Sequence, residues 1–368
     1  MKHFAELINA LTNARNEDAR VRAVFRYFNN KNLAGSFDSA AALLVGNNIP
    51  SVLTTRQLKS WASSLFPELP GWLFERSVEE SGNIVNAVAL LLRKDESVPD
   101  EPSLPETLEK LQKLHGASEQ VIKLFLNNTL AGYGQPERAV ILRMMSGTFK
   151  SPVTKLELLR GLARVFAIPE AVATLRWYNL EKKKPFEIQL LGAPVEGEDE
   201  LLPIQIKPPE IIERPGESLG EWNDWQAHGI RTGMACQLVK HGKTVHLWVD
   251  GPEIVSELFT EITRSLAGYE GDLIMTGQLI PKSLDQPVSI LQKYITEDSA
   301  GRQSGETIFV VRDVYLNRSG KPETDLPMYV SGRVGPHITF EPRLLLSSSK
   351  KSKSFIPIAA RWVMTHLY

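Results

Sequence analysis

The chain has 368 residues, of which 42% are hydrophobic, enough to bury a substantial core in two or more domains. Lys and Arg number 42 against 43 Asp and Glu, so the formal charge of -1 gives no general attraction to a phosphate backbone. The single cysteine, Cys236, excludes an intramolecular disulfide framework and a thiolate-rich zinc site.

The first 20 residues are too interrupted by charge for a signal peptide. No apolar run reaches the roughly 20 residues that a membrane-spanning helix needs. We therefore expect a cytoplasmic protein that makes no membrane contact.

Helical periodicity dominates residues 1–180. Apolar residues recur at spacings of three and four, as in Ile84–Leu92, and prolines mark several predicted helix boundaries. Two pairs have the spacing of a capping box, in which a hydroxyl and a carboxylate satisfy free amides at a helix start: Ser77 with Glu80, and Thr154 with Glu157. These patterns predict an all-helical domain over residues 1–180, with eight to eleven helices.

Residues 181–220 differ in composition from what precedes them. A lysine run, an acidic run and the four prolines that follow the acidic run favour an extended linker, with one short strand predicted at Phe186–Leu191. We interpret the three lysines, 182 to 184, as a feature of this linker and not as a nucleic-acid patch.

From residue 221 the hydrophobic period changes to two. Alternation on both sides of His241–Lys243 predicts a β-hairpin. Further strands are predicted at Leu273–Ile280 and Thr307–Leu316, with a helix at Glu253–Leu266. Residues 221–345 therefore form a predicted α+β domain, and the basic, low-complexity start of residues 346–368 favours a solvated C-terminal segment.

Three segments of the helical region resemble sequences of bacterial ATP-dependent DNA ligases, the group associated with Lhr-type helicases. Thr55–Ala62 resembles that group's T-x-Q-L-x-x-W-A, Pro70–Glu75 its P-x-W-L-F-x, and Met145–Lys150 its T-G-G-F-R. The basic run that precedes T-x-Q-L in the family is missing, because Val45–Ser51 stands in its place. We therefore expect weaker DNA affinity than in an active ligase.

Four segments after residue 221 extend the resemblance. They are Trp225–Arg231 (K-x-D-G-I-R in the family), His246–Glu253 (F-L-W-S-R-G-E-E), Thr276–Ile280 (D-G-E-L-V) and Phe309–Val314 (F-x-x-Y-D-L). The resemblance implies an all-α DNA-binding-like domain followed by an α+β, ATP-grasp-like nucleotidyltransferase (adenylation) domain with an antiparallel sheet. The family's C-terminal OB-fold is not expected here, because the chain ends before such a domain could fit.

The charged positions of the adenylation motifs are lost. Gln226 replaces the lysine that accepts AMP, and its amide nitrogen cannot act as a nucleophile because the lone pair is delocalised. His228 stands at the motif's Asp, and Gln278 at the carboxylate of D-G-E-L-V. A second alignment, which pairs Gly233–Val239 with G-I-R-x-Q-L-V, puts Ile230 at the nucleophile, so neither alignment supplies a lysine.

The resemblance also suggests contact residues. Three positions correspond to nucleotide contacts, although each residue type is also common in protein cores: Arg231, Trp248 and Asp313. Three basic residues correspond to possible DNA contacts: Arg56, Lys150 and Lys155. No intact catalytic group and no metal site are expected, and ATP and Mg²⁺ are implied as cofactors only by the family.

These observations favour a catalytically inactive pseudo-ligase linked to DNA repair or recombination. It would bind duplex or nicked DNA, or scaffold helicase or nuclease partners. One alternative is an active ATP-dependent ligase that uses Lys240 or Lys243, although side chains near a hairpin turn are expected to point to water. Another is a protein-interaction module, or a decayed and truncated ligase, which the near-neutral charge favours.

Overall fold

The computed structural model describes the backbone of most of the chain. The described residues are 1–92, 102–183, 185–206, 225–229, 233–249, 252–282, 289, 291, 295, 307–318, 322–323, 330, 333–340, 343–345 and 362–366. By its contacts the chain divides into two compact units. The first comprises Met1–Ala173 and Asn179–Ala193, and the second Thr174–Tyr178 and Pro194–Tyr368.

The first unit is helical, which confirms the prediction of a helical N-terminal half. Its helices are α1 Lys2–Thr12, α2 Glu17–Phe28, α3 Phe37–Leu44, α4 Thr55–Ser60, α5 Ala62–Leu65, α6 Gly71–Ser81, α7 Ile84–Leu91, α8 Leu104–Lys113, α9 Glu119–Leu124, α10 Gln135–Met145, α11 Lys155–Phe166 and, shared with the second unit, α12 Glu170–Leu180. The predicted number was too low, because helices of four to six residues are too short to show a period. Among the described residues, no helix is long and apolar enough to cross a membrane.

Aromatic side chains from α1, α2, α3 and the loop after α10 form part of the core of the first unit. Ring centroids lie 5.2 to 6.4 Å apart among five residues: Phe4, Tyr27, Phe28, Phe37 and Phe149. Such edge-to-face and tilted contacts are favoured by the ring quadrupoles. Phe149 belongs to the ligase-like segment Met145–Lys150, so that segment is anchored in the core.

The two predicted capping boxes had different outcomes. Thr154 caps α11 as predicted. Its hydroxyl accepts a bond from the Glu157 amide, and the Glu157 carboxylate accepts one from the Thr154 amide at 2.8 Å. The prediction for Ser77 was wrong. It lies inside α6, where its hydroxyl donates to the Leu73 carbonyl. Helix α6 begins about two turns earlier, with Pro70 as its N-cap.

Helices α4 and α11 begin in the same way, 100 residues apart. Ser51–Leu58 and Ser151–Leu158 share the pattern S-x-[LV]-T-x-x-[QE]-L, and each threonine forms a capping box. The preceding helices, α3 and α10, are each followed, one residue after the C-cap, by a glycine with positive φ, Gly46 or Gly147. The first unit therefore contains a repeated helix–loop–helix element, which a search for short-period repeats does not detect.

After residue 194 the described part of the second unit includes two sheets, a 3-10 turn at Glu198–Leu201 and an α-helix. The strands are β1 Trp225–Gly229, β2 Met234–His241, β3 Thr244–Val249, β4 Glu253–Ile254, β5 Leu273–Pro281, β6 Thr307–Tyr315, β7 Ile338–Phe340, β8 Arg343–Leu345 and β9 Trp362–His366, and the helix is α13 Thr260–Ala267. Six strands form one sheet in the order β4-β3-β2-β5-β6-β7, antiparallel except for β6 with β7. The remaining three form a second sheet in the order β8-β1-β9.

The predicted hairpin and the two predicted strands, β5 and β6, are confirmed. The predicted helix at Glu253–Leu266 was wrong in its first half. Glu253–Ile254 pairs with the end of β3, and the Ser256 hydroxyl accepts a bond from the Leu247 amide at 2.9 Å. The helix therefore begins only at Thr260.

The strand predicted at Phe186–Leu191 was also wrong. Ile188–Gly192 is a 3-10 turn, in which Ile188 and Leu191 are buried at the spacing of one turn. The Asp38 carboxylate accepts a bond from the Ile188 amide at 2.7 Å and fixes this geometry. Residues 207–220 of the predicted linker and the basic run at 347–353 lie outside the described residues.

One face of the six-stranded sheet packs on α13 and forms a hydrophobic core. Alternate residues of the central strands point into it, including Leu238, Leu247, Met275 and Val311, together with Ile262 of α13. Their sequence neighbours must point to the opposite face, because side chains alternate along a strand. That opposite face carries the candidate site.

Candidate functional site

A row of four side chains crosses the face of the six-stranded sheet that lies opposite α13. Trp248 of β3 pairs with Gln237 of β2, Gln237 with Thr276 of β5, and Thr276 with Asp313 of β6. Directly paired residues share a face of the sheet. We call these four residues the polar row. Trp248, Thr276 and Asp313 belong to the ligase-like segments, so the fold brings three separate motifs together.

The acidic end of the polar row is already neutralised. The Asp313 carboxylate accepts a bond from Arg312 Nε at 2.8 Å and one from the Thr276 hydroxyl at 3.3 Å, and it is 8% exposed. Gln278, two residues beyond Thr276, is half-buried, and its Oε1 makes no hydrogen bond to the described residues.

This donor set does not fit Mg²⁺, which prefers several anionic oxygens. Thr276 and Gln278 supply none, and Asp313 is engaged by Arg312 and Thr276. Across the described part of the chain, no group of three or more His, Cys, Asp or Glu side chains is arranged to hold a metal ion.

Gly277 lies at an irregularity between β5 and β6. The pairing shifts there, so that Thr276 faces Asp313 while Gly277 faces Val311, and Arg312 is the extra residue of a β-bulge. A Cβ on residue 277 would lie 2.0 Å from the Val310 carbonyl oxygen. Close packing therefore explains why a glycine occupies this position of the D-G-E-L-V-like segment, without reference to nucleotide binding.

A segment of the same unit, residues 198–206, contacts two residues of the polar row, Gln237 and Trp248, and we call this segment the strap. The Gln237 side-chain amide pairs with both backbone groups of Ile204, donating to its carbonyl at 2.8 Å and accepting from its amide at 2.9 Å. Trp248 Nε1 donates to the Leu201 carbonyl at 3.0 Å. Trp248 is 1% exposed, so its indole is packed beneath the strap.

Two arginines hold the strap from the sides. Arg176, in the part of α12 that belongs to the second unit, binds the Glu198 carboxylate through Nε at 2.7 Å and Nη2 at 2.5 Å. Arg318, just after β6, donates to the Leu202 carbonyl at 2.5 Å. The side-chain bond from Arg176 lowers the pKa of Glu198. Neither arginine was predicted as functional from the sequence, since no local pattern links them to residues 198–206.

Gln226 and His228 lie in β1, which belongs to the three-stranded sheet. There β1 pairs with β8 and β9, with Gln226 opposite Leu345 and Thr365. The fold therefore places these two positions in a different sheet from Gln278. Arg231 lies outside the described residues.

Gly233, the glycine of the second alignment, immediately precedes β2, which pairs with β5. A Cβ on residue 233 would lie 2.7 Å from the Leu279 carbonyl oxygen. Close packing therefore requires a glycine at this position.

Lys240 does not point to water, so the expectation for this side chain was wrong. It is 4% exposed, and its ammonium donates to the carbonyls of Gly242 at 2.5 Å and Gly271 at 2.9 Å. Ala235 of β2 pairs with Gln278, and Lys240 lies five residues further along the same strand. The Cα atoms of Ala235 and Lys240 are therefore about 16 Å apart. Lys243 is exposed in the hairpin turn, as expected.

The three basic residues suggested for DNA contact lie in the first unit. Arg56, in the first turn of α4, and Lys150, in the loop before α11, are exposed. The loops that precede these two helices are joined, because the Val52 and Leu53 amides both donate to the Met145 carbonyl. Lys155 is also exposed but is paired with Glu181 at 2.7 Å. Arg56 and Lys150 thus lie beside the same two joined loops. The charge of Lys155 is partly compensated by Glu181.

Comparison with known proteins adds little to this geometry. No protein-family model matches the sequence, and no curated protein matches it. Two solved structures designated Pmar-Lig_PreS3 and Pmar-Lig_Pre are 11% and 10% identical and cover 98% of this chain. The chain covers 73% and 72% of theirs, each with a TM-score of 0.36. These values are too low to assign the fold.

Proposed function

We propose that the protein is a ligase-fold pseudoenzyme: a helical DNA-binding unit joined to a nucleotidyltransferase-like unit that cannot be adenylated. The observation that carries the proposal is strand β5. It retains Gly277, which close packing requires, while Thr276 and Gln278 on either side carry no charge. On this proposal, the glycine that the packing of the motif needs is kept, and the charged residues that its chemistry needs are absent.

The lysines of the described part of the second unit support the same conclusion. Adenylation needs an amine that can lose its proton and attack the α-phosphorus of ATP. Lys240 is buried and bonded to two carbonyls, while Lys243 and Lys282 are exposed. The alternative of an active ligase that uses Lys240 therefore requires this side chain to break both bonds and to act far from Gln278.

The DNA-binding part of the proposal rests on the first unit. Arg56 and Lys150 lie exposed on either side of joined loops, and each loop precedes a capped helix, α4 or α11. Backbone phosphates are recognised by such basic side chains and by exposed amides at helix starts. With a net charge of -1, the affinity is expected to be modest and strongly salt-dependent.

An adenylation assay on the full chain tests the catalytic half of the proposal. The protein is incubated with ATP labelled at the α-phosphate and with Mg²⁺ or Mn²⁺, beside an active ATP-dependent ligase as the positive control. We expect no covalent label on this protein. A labelled band that disappears in Lys240→Ala would establish the active-ligase alternative instead.

A DNA titration of the full chain tests the other half. Nicked and intact duplexes are titrated by fluorescence anisotropy at two salt concentrations. We expect binding that weakens steeply as salt rises. No binding at low salt would refute the DNA-binding half and would favour the protein-interaction alternative.

A further inference from the structure

Helix α6 lies at the surface of the first unit and is anchored by one buried side chain. That residue is Phe74, whose ring stacks on Phe66 with the centroids 6.1 Å apart. The other residues of the helix are exposed or half-buried. Most of the surface of α6 is therefore accessible to a partner.

Trp72, in the first turn of α6, is the most exposed large hydrophobic side chain of the described residues. It is 71% exposed, and its neighbour Leu73 is 36% exposed. The approach to this turn is open, because nothing lies within 4 Å of a Cβ on Gly71. Tryptophan is enriched at protein–protein interfaces, where burial of its ring contributes much of the binding free energy. The start of α6 therefore has the character of an interaction surface.

Two carboxylates share the exposed face of Trp72. Glu75 and Glu79 follow the tryptophan by three and seven residues, a spacing that places all three side chains on one stripe of the helix. We call these three residues the α6 stripe. It combines an aromatic ring with negative charge one turn and two turns away.

The ion pairs around the α6 stripe are exposed and therefore weak. Lys59 of α4 lies 3.7 Å from Glu75, with side chains 64% and 65% exposed. Arg76 is the only basic residue of α6, and it pairs with Glu79 at 3.3 Å and with Glu80 at 2.6 Å. Exposed pairs of this kind contribute little to stability, so a partner's cations can replace them.

The charge of α6 decides which class of partner it fits. DNA and anionic lipids present phosphates, which the three glutamates of the helix repel. A basic protein segment is complementary, because an arginine can stack on an indole and pair with a carboxylate one turn away. The first unit already contains a contact of this type, in which Lys123 Nζ lies 5.0 Å from the centroid of the Trp61 ring.

We propose that the α6 stripe is a docking surface for a basic segment of a partner protein, in which arginine or lysine flanks an apolar residue. The apolar residue packs on Trp72 and Leu73, and the cations pair with Glu75 and Glu79. This inference goes beyond the proposed function. It depends neither on the loss of adenylation nor on DNA binding.

The test titrates the full chain with a fluorescent synthetic helix composed of arginine and leucine, and with a matched helix in which glutamate replaces arginine. Trp72→Ala removes the ring, and Glu75→Gln removes one charge. Leu124→Ala is the apolar control, because Leu124 is 61% exposed on α9. Glu109→Gln is the charge control, because Glu109 on α8 also pairs with a lysine and is also 65% exposed.

We expect the arginine peptide to bind to the wild type and the glutamate peptide not to bind. The Kd should rise about tenfold in Trp72→Ala and about threefold in Glu75→Gln, but by less than about twofold in either control. Trp72→Phe retains an aromatic ring and should restore most of the affinity. The bound peptide should slow amide hydrogen exchange in α6 but not in α8.

Unchanged thermal unfolding verifies that each variant remains folded, as expected for exposed positions. Should Trp72→Ala unfold earlier, the comparison of Glu75→Gln with Glu109→Gln and the exchange of α6 still decide the outcome. Failure of the arginine peptide to bind to the wild type would overturn the proposal, and so would equal losses in the variants and their controls. Displacement of the peptide by duplex DNA would also overturn it, because the face would then belong to nucleic acid.

Discussion

Gly277 and Gly233 are held by contacts that exclude any larger residue. Each lies where a neighbouring strand approaches so closely that a Cβ would overlap a backbone oxygen, of Val310 in one case and Leu279 in the other. Packing thus requires a glycine at both positions, whatever residues flank it.

Replacement of Gly277 by alanine is expected to destabilise the second unit by about 2 to 4 kcal/mol, because the backbone of β6 must move to admit the methyl group. The measurement is urea unfolding of the full chain. Gly268→Ala is the control, since nothing lies within 4 Å of a Cβ there, and its effect should stay within about 0.5 kcal/mol. Equal effects of the two substitutions would contradict the packing argument.

Among the secondary-structure elements, α11 shows how a local signal and a long-range contact combine. Its cap residue Glu157 also binds Arg20 of α2, at 2.7 Å from Nε. Burial raises the pKa of Glu157, but the bonds from Arg20 and Thr154 outweigh this effect and lower the pKa overall. The carboxylate is therefore stabilising in its ionised form.

Glu157→Gln is expected to reduce the stability of the first unit by about 2 to 3 kcal/mol at pH 7. Because the folded pKa lies below the unfolded value, the carboxylate stabilises above about pH 4.5, and this stabilisation is lost as the pH falls further. The difference between variant and wild type in thermal unfolding should therefore shrink from pH 7 to pH 3.

Glu80→Gln provides a control for this pH dependence. Glu80 pairs with Arg76 at an exposed site on α6, with side chains 66% and 62% exposed. Exposed pairs contribute about 0.5 kcal/mol or less. A Glu157→Gln difference that stays constant with pH would contradict the assigned role of its charge.

At the scale of the whole molecule, the two units do not follow the linear order of the chain. Thr174–Tyr178 in the middle of α12 belongs to the second unit, where Arg176 binds Glu198 and the Tyr178 ring lies 5.2 Å from His246. A fragment that ends near residue 180 would remove this helix from the second unit. Functional tests are therefore best made on the full chain.

The near-neutral charge of the whole chain makes individual basic residues important for DNA affinity. Lys150→Ala is expected to raise the Kd for duplex DNA about three- to tenfold at low salt and to reduce the slope of log K against log salt by about 0.9. Lys155→Ala should have a smaller effect because Glu181 already pairs with Lys155. Fluorescence anisotropy over a salt series measures both quantities.

Lys113→Ala is the control for these variants, since Lys113 lies on α8 and pairs with Glu109. It should leave the affinity and the salt slope unchanged. An effect as large as that of Lys150→Ala would show that binding depends on overall charge and not on the loops beside Arg56 and Lys150.

Local patterns in the sequence were sufficient for the helical half, the β2–β3 hairpin, strands β5 and β6 and the Thr154 cap, because each depends on residues only a few positions apart. The same patterns failed for Ser77, the start of α13 and residues 186–191, where Pro70, the edge of β3 and Asp38 decide the conformation. Strand register places the four residues of the polar row side by side: Trp248, Gln237, Thr276 and Asp313. The position of the strap depends on Arg176 and Arg318. Contacts between residues so distant in the chain leave no periodic trace, so only the folded molecule reveals them.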